Sequence, residues 1–338
     1  MSSGTELLNQ HLSRSNPAWN QVALEQSAID RISDSLYSLS IEEFRQISYK
    51  PPPLPLDVPI PIRDLTIRED HITVRDGASI KVRIYEPLNR GSGHLLFFNI
   101  HGGGWTVGSP ETEEAQNRLI AVKNNAVVCS VDYRRAPEFP FPYALHDSID
   151  ALTWCKRNAS KLGVDPQRII VGGGSAGANL VCDIIPKQAA VITHTFHNDG
   201  VQGIVGQMLN IPVTCHPDHF PTDEYELYSY VQNAHAPIVG ASRMRKFWAN
   251  YLPEAQPDPK ASPLLMKSLN GLPPTLVQVA GMDPLRDEGI AYAQALRNDK
   301  VHVELKVYPG MPHAFYIYPN LEPSREYFQT MIDWMKQF

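Results

Sequence analysis

Arg168-Ile169-Ile170-Val171-Gly172-Gly173-Gly174-Ser175-Ala176-Gly177 is the stretch from which the fold is read. A β-branched apolar run enters it and a helical stretch follows from Ala178, so Gly173 to Gly177 turns a strand directly into a helix. A turn that tight leaves no room for side chains two positions before and two positions after the serine. It lifts the Ser175 hydroxyl out of the sheet, next to a helix N-terminus. Gly-x-Ser-x-Gly in this context reads as a nucleophile elbow. From Gly172 the same residues also fit the dinucleotide pattern G-x-G-x-x-G, with Asp199 as a ribose-binding acid further on. Asp199 stands between Asn198 and Gly200, which is a turn setting. The elbow also opens halfway along the chain and not in a first βα unit. The serine reading is therefore the stronger one.

Working outward, His94–Ile100 and Ala126–Val131 are further apolar runs, as are Thr275–Ala280 and Val301–Tyr308. Such runs suit strands buried on both faces of a parallel sheet. Residues 71–76 and 80–85 flank Asp76-Gly77 and read as a hairpin. Helical stretches lie near 111–123, 143–161, 286–298 and 327–336. In the second, Leu145, Ile149 and Leu152 share a face. Strands alternating with helices predict an α/β fold with a mainly parallel sheet. Two regions break the rhythm. Residues 20–47 read as helical, with Val22, Ile29, Ile32 and Leu36 spaced three or four apart, and Pro51-Pro52-Pro53-Leu54-Pro55 then forms an extended connector. Residues 215–260 are rich in Tyr, His and Pro, with helix-like pieces near 223–233 and 241–251. The expected organisation is N-terminal cap helices over 1–50, core over 51–214, a cap insertion over 215–260 and core again over 261–338. The insertion is expected over the carboxyl ends of the strands, where such sheets bind ligands.

A serine hydroxyl needs a base, and the base needs an orienting acid. Asp283 follows the strand Thr275–Ala280, and His313 follows the strand ending at Tyr308. Both sit in loops at the edge of the sheet where Ser175 emerges, in the order serine, acid, histidine. Asp287 competes as the acid but lies one helical turn deeper, and Asp283 can also serve as a helix cap. Acyl transfer further needs donors for a developing oxyanion. His101-Gly102-Gly103-Gly104 follows His94–Ile100 and can aim backbone N–H groups inward, and the Ala176 N–H adds one more.

Five pieces in order now carry a resemblance: His101-Gly102-Gly103-Gly104-Trp105, Val131 to Glu138, Gly173 to Gly177, Asp283 to Gly289, and His313-Ala314-Phe315. Together they resemble the hormone-sensitive-lipase-like branch of the α/β-hydrolases. The resemblance implies an eight-stranded, mainly parallel sheet flanked by helices, with a helical cap. It implies a serine carboxylesterase without cofactor, with Gly103, Gly104 and Ala176 as oxyanion donors. Arg134 and Glu138 become structural partners, and two copies are expected to pair through the last strand and helix. The chain departs from the family at two points. Gly174 stands where Asp or Thr is usual, which removes a side chain that would brace the elbow. Arg135 stands where leucine is usual, so its charge must reach solvent or a carboxylate.

Trp105, Tyr225, Phe247 and Trp248 are candidates to line an acyl or alcohol pocket, with core packing as the alternative. The expected substrate is an ester of a small to medium acyl or aromatic group. Two other readings keep the fold: lyase, cyclisation or acyl-transfer chemistry on a specialised metabolite, or a non-catalytic small-molecule receptor. His194-x-x-His197 and His216-x-x-His219 have metal-like spacing but no cluster of further ligands nearby, so no metal is expected.

Composition limits the rest. The chain has 338 residues, 43% hydrophobic and 20% charged, with a net charge of −6, which disfavours nucleic acid as a partner. No apolar run reaches the length of a membrane span, and the N-terminus lacks the pattern of a signal peptide. Cys129, Cys155, Cys182 and Cys215 have no C-x-x-C spacing and read as reduced thiols of a cytoplasmic protein.

Overall fold

A computed structural model describes residues 8–35, 39–48, 54–55, 57–88, 91–184 and 203–338. Pro51 to Pro53, Leu36, His194, His197 and Asp199 lie outside the described residues. Two helices, α1 (Ala23–Ser35) and α2 (Ile41–Ser48), come first. Strands β1 (Leu65–Thr73) and β2 (Ser79–Pro87) form the hairpin turned at Asp76-Gly77, pairing antiparallel from Leu65–Pro87 to Thr73–Ser79. Then follow β3 (His94–Ile100), α3 (Glu114–Lys123), β4 (Val127–Asp132), α4 (Tyr143–Arg157), α5 (Ala159–Leu162), β5 (Val164–Gly174) and α6 (Ala176–Ile184). After the undescribed stretch come β6 (Ile204–Asn210), α7 (Ser229–Gln232), α8 (Ala241–Tyr251), β7 (Thr275–Ala280), α9 (Arg286–Asn298), β8 (Val303–Tyr308) and α10 (Glu322–Met335).

The strands form one eight-stranded sheet in the order β1-β2-β4-β3-β5-β6-β7-β8. The antiparallel pairings are β1 with β2 and β2 with β4, and every pairing from β4 to β8 is parallel. The alternation of the pleat splits each central strand between two cores. On β3, Leu96, Phe98 and Ile100 join one core, with Leu145 and Leu152 of α4, Val181 of α6 and Tyr292 of α9. Leu95 and Phe97 face the other, with Ile120 of α3 and Tyr327, Met331 and Trp334 of α10. This double burial explains why the strands read as continuous apolar runs.

The structure corrects two sequence expectations. The residues spaced for a buried stripe on α1 do not all turn inward: Ile29 and Ile32 are exposed, while Gln26 is buried and accepts from the Tyr318 hydroxyl. The piece near 223–233 shrinks to the four residues of α7, because Asp287 takes the N–H groups of Tyr228 and Ser229 and fixes the chain there. The four cysteines are buried and form no disulfide. Among the described residues no helix is long and apolar enough to cross a membrane, and no group of three metal-ligand side chains occurs.

Candidate active site

The strand order brings the carboxyl ends of β3, β5, β7 and β8 to one edge, and each delivers one part of the site. Ser175 follows the end of β5 at φ +54°, a left-handed conformation that a side chain adopts only under constraint. The constraint is visible in the glycines around it. A Cβ on Gly177 would lie 1.9 Å from the Ile100 carbonyl oxygen, and one on Gly173 would lie 2.7 Å from the same atom. Only glycine fits at either position. The Ser175 N–H donates to the Asn210 carbonyl at 2.8 Å, which ties the apex to β6.

His313 and Asp283 meet Ser175 at that edge. His313 Nδ1 lies 2.6 Å from Asp283 Oδ2, and Nε2 lies 3.0 Å from Ser175 Oγ. All three residues are buried. A carboxylate only accepts, so Nδ1 carries the proton and Nε2 is left free to accept from the Ser175 hydroxyl. Asp283 Oδ1 accepts the Leu285 N–H at 2.9 Å, so the carboxylate both orients the histidine and caps the turn into α9.

The turn after β3 lies opposite. Gly103 and Gly104 have φ of +119° and +57°. Among the described residues, neither their N–H groups nor that of Ala176 donates to a protein acceptor. Ala176 is the first residue of α6, where an N–H has no partner within the helix. His101 shapes this turn. It bonds the Gly102 carbonyl at 2.8 Å and stacks on Tyr133 at 4.2 Å. Burial pushes its pKa down to about 3, so it stays neutral and adds no charge near the turn.

The lead into α9 and its first residues tie the site to the segments around it. Asp283 holds His313. Arg286 Nη1 donates to Ser13 Oγ at 2.6 Å and to Gln232 Oε1 at 3.0 Å. Asp287 pairs with Arg286 and accepts from Tyr228 and Ser229, so it pins the insertion and does not reach the histidine. Glu288 Oε1 accepts the Thr214 N–H at 2.7 Å.

The four aromatic candidates divide. The Phe247 ring lies over the oxyanion turn, within 2.2–2.6 Å of where a Cβ on Gly104 would stand. Phe247 also lines a cavity of about 190 Å³ with Ile41 and Phe44 of α2, Thr106 and Asn250. Trp105 and Trp248 are fully buried. Trp105 stacks on Tyr251 at 4.1 Å and meets Trp248 at 4.7 Å, which is core packing beneath the turn. Tyr225 lies in a groove with Leu264, Leu269 and Asp299, at the end of α9 remote from Asp283.

The sequence reading missed two contributors near the site. Arg45 of α2 donates to the Thr106 and Ala136 carbonyls and pairs with Glu138, so it fastens α2 to the segment behind the oxyanion turn. Glu113, read only as part of a helical stretch, is a buried carboxyl beside the elbow.

A family model described as alpha/beta hydrolase fold matches residues 97–317. The chain belongs to this family. It is 33% identical over 284 residues to AB hydrolase superfamily protein B1A11.02 of Schizosaccharomyces pombe, covering 82% of this chain and 80% of that one. It is 35% identical over 285 residues to carboxylesterase NlhH of Mycobacterium tuberculosis, covering 83% and 82%. Among solved structures, that of vibralactone cyclase superposes with a TM-score of 0.79 at 27% identity, covering 98% of this chain and 96% of that one.

The hydrolase departs from its family's usual residues at two positions, and the structure accounts for both. The Arg135 charge is met by Asp132 Oδ1 at 2.9 Å and the Gly108 carbonyl. At Gly174 the missing side chain is replaced by Glu113, whose Oε1 lies 2.8 Å from where a Cβ would stand. Burial pushes the Glu113 carboxyl up from its usual 4.5 to about 7. In the unfolded chain the group loses its proton near pH 4.5, whereas the folded chain keeps it to about 7. Between those values the native state binds more protons, so Glu113 costs stability as pH rises, by up to about 3 kcal/mol. Glu113→Gln removes the titration. Its unfolding free energy relative to wild type, read from denaturant curves, should rise by about that amount from pH 4.5 to 7.5. A difference that stays flat with pH contradicts the assignment.

Proposed function

We propose that this alpha/beta hydrolase is a serine carboxylesterase working through an acyl-enzyme. The observation that carries the reading is the hydrogen-bonded series Ser175–His313–Asp283 facing three unpaired backbone N–H groups. Ser175 Oγ attacks the ester carbonyl while His313 Nε2 takes its proton and Asp283 holds the imidazole tautomer. The oxyanion is received by the N–H groups of Gly103, Gly104 and Ala176. His313 returns the proton to the leaving alcohol, then activates water to release the acid. The esterase relatives and structures support hydrolysis of a carboxylic ester. No cofactor or metal enters any step.

The N-terminal 1–50 and the insertion 215–260 act together as a cap over a core formed by 51–214 and 261–338. Contacts between the two parts support this: Glu226 accepts the Leu8 N–H, and Asp30 accepts the Ile238 N–H. Phe247 and the cavity beneath it favour small to medium acyl or aromatic groups, held beside Gly104. Pairing of two copies through β8 and α10 is supported by the position of β8 at the open edge of the sheet. The four cysteines, none of them in a disulfide, support a cytoplasmic setting, and the negative net charge argues against nucleic acid.

The likeness to a vibralactone cyclase favours a second reading, in which the same acyl-enzyme is captured by an internal or external nucleophile other than water. One experiment separates the readings. A serine-directed phosphonate followed by peptide mass spectrometry should place the label on Ser175 and abolish turnover of a short p-nitrophenyl ester. Labelling of an enzyme that never turned over such esters supports cyclisation or acyl transfer. Ligand binding with neither label nor turnover supports a receptor.

A further inference from the structure

Gly174 has no side chain, and the space a side chain would take is already filled. A Cβ there would stand 2.8 Å from Glu113 Oε1 and 3.3 Å from the Tyr316 hydroxyl oxygen. Glu113 ends the short 3-10 turn Pro110–Glu113 that leads into α3. Its carboxyl is spoken for on both oxygens. Oε1 accepts the Gly102 N–H at 3.0 Å, and Oε2 accepts from Asn99 Nδ2 at 2.7 Å. Asn99 belongs to β3, and Gly102 is the first glycine of the oxyanion turn. Gly102 itself packs on the elbow, since a Cβ there would lie 2.9 Å from the Gly174 carbonyl oxygen and 3.5 Å from Ser175 Cβ. One carboxyl therefore touches both halves of the oxyanion hole: the turn that carries Gly103 and Gly104, and the elbow that carries Ser175 and Ala176. Among the described residues no Lys or Arg pairs with it. The reaction steps above make no use of it.

We propose that Glu113 is a positioning residue for the oxyanion hole, holding the 101–104 turn at its working distance from the elbow, and that Gly174 is the gap that admits it. This inference rests on the esterase reading. The physical argument is one of satisfaction and space. A buried N–H deprived of its acceptor is costly, so without the Glu113 carboxyl oxygen Gly102 must turn to find another partner. Gly103 and Gly104 are carried with it. Oxyanion donors act only when they reach the oxyanion at about 2.7–3.1 Å, so a shift of a few tenths of an ångström weakens the transition state more than substrate binding.

The test combines two single variants and a double. Glu113→Gln keeps the volume but replaces one accepting oxygen with an NH₂ group, which cannot accept from Gly102 or Asn99. Its kcat on a short p-nitrophenyl ester should fall about 10- to 100-fold, with KM changed less than about threefold. Affinity for a trifluoromethyl ketone, which forms a tetrahedral adduct on the serine, should fall in parallel with kcat. Affinity for the corresponding secondary alcohol, which develops no oxyanion, should not. Gly174→Ala leaves Glu113 in place but puts a methyl against Oε1, and should likewise lower kcat at constant KM. In a Glu113→Ala background the same Gly174→Ala change should cost several-fold less, because the oxygen it meets is gone. Unchanged kcat in both single variants overturns the proposal, as does a Glu113→Gln enzyme that loses only thermal stability. If Glu113→Gln does not fold, unchanged kcat in Gly174→Ala still overturns it. Failure of the underlying reading looks different: the wild-type enzyme then neither turns over the ester nor takes the phosphonate at Ser175.

Discussion

Ser175→Ala should lower kcat for a short p-nitrophenyl ester by about 10⁵-fold or more, leaving KM near its wild-type value. The substitution removes one oxygen and little else. The elbow is held through the backbone of residue 175: its N–H donates to Asn210, and its carbonyl accepts from Asn179 and Val213. Alanine keeps all three bonds and bears the same left-handed φ of +54° as the serine. The three N–H groups of Gly103, Gly104 and Ala176 also stay where they are. What disappears is the atom that forms the acyl bond. Residual turnover then comes from water acting in the oxyanion hole, a route that leaves only about 10³–10⁴-fold over solution. Steady-state kinetics on a well-folded variant decides the matter. Wild-type activity in Ser175→Ala means the chemistry is not acyl transfer through this serine.

Asp283→Asn should cost about 10⁴-fold in kcat, and local geometry explains why a near-isosteric change costs so much. Oδ1 of Asp283 accepts the Leu285 N–H at 2.9 Å, so an asparagine must put its carbonyl oxygen there. Its NH₂ group then faces His313 Nδ1 at the position now 2.6 Å away. Nδ1 is forced to accept, the proton moves to Nε2, and Nε2 presents a donor to Ser175 Oγ where an acceptor is needed. The variant should fold normally, because the bond from Asn233 Nδ2 runs to the backbone carbonyl of residue 283 and is untouched. A loss smaller than tenfold at unchanged melting temperature would shift the acid's role away from Asp283.

What the sequence disclosed and what it hid follow physical lines. The central strands were legible because they are covered on both faces and so carry unbroken apolar runs: His94–Ile100 and Thr275–Ala280 coincide with β3 and β7 at both ends. Strand β6 gave no such run, since Gly206, Gln207 and Asn210 interrupt it and are satisfied by neighbouring strands and side chains, as in the Gln207–Thr275 and Asn210–Gln278 bonds. The serine, acid and histidine were legible because each must stand just past a strand end. The aromatic candidates were less so, because residue type does not separate Trp105, buried in a stack, from Phe247, laid over Gly104. Glu113 had only an indirect signal. A glycine where the family carries a side chain leaves a volume that something else must fill, and sequence spacing does not say what.

The lead into α9 and its first residues set a condition on how such an enzyme can change. Within six consecutive residues, Asp283 orients the histidine, Arg286 reaches the N-terminal segment, Asp287 fixes the insertion, and Glu288 holds the chain at Thr214. Arg286 and Asp287 are a fully buried ion pair and burial pushes the Glu288 carboxyl up, so removing a partner strands a charge or an unmet polar group away from water. A transplanted insertion, however well its pocket suits a new ester, must therefore bring its own acceptor for Arg286 and its own donors for Asp287. Breadth of substrate and integrity of the reacting histidine are inherited together through these six residues. The permissive route to new specificity runs instead through Phe247 and the side of α2 that faces it, where apolar side chains can be exchanged without touching a buried charge.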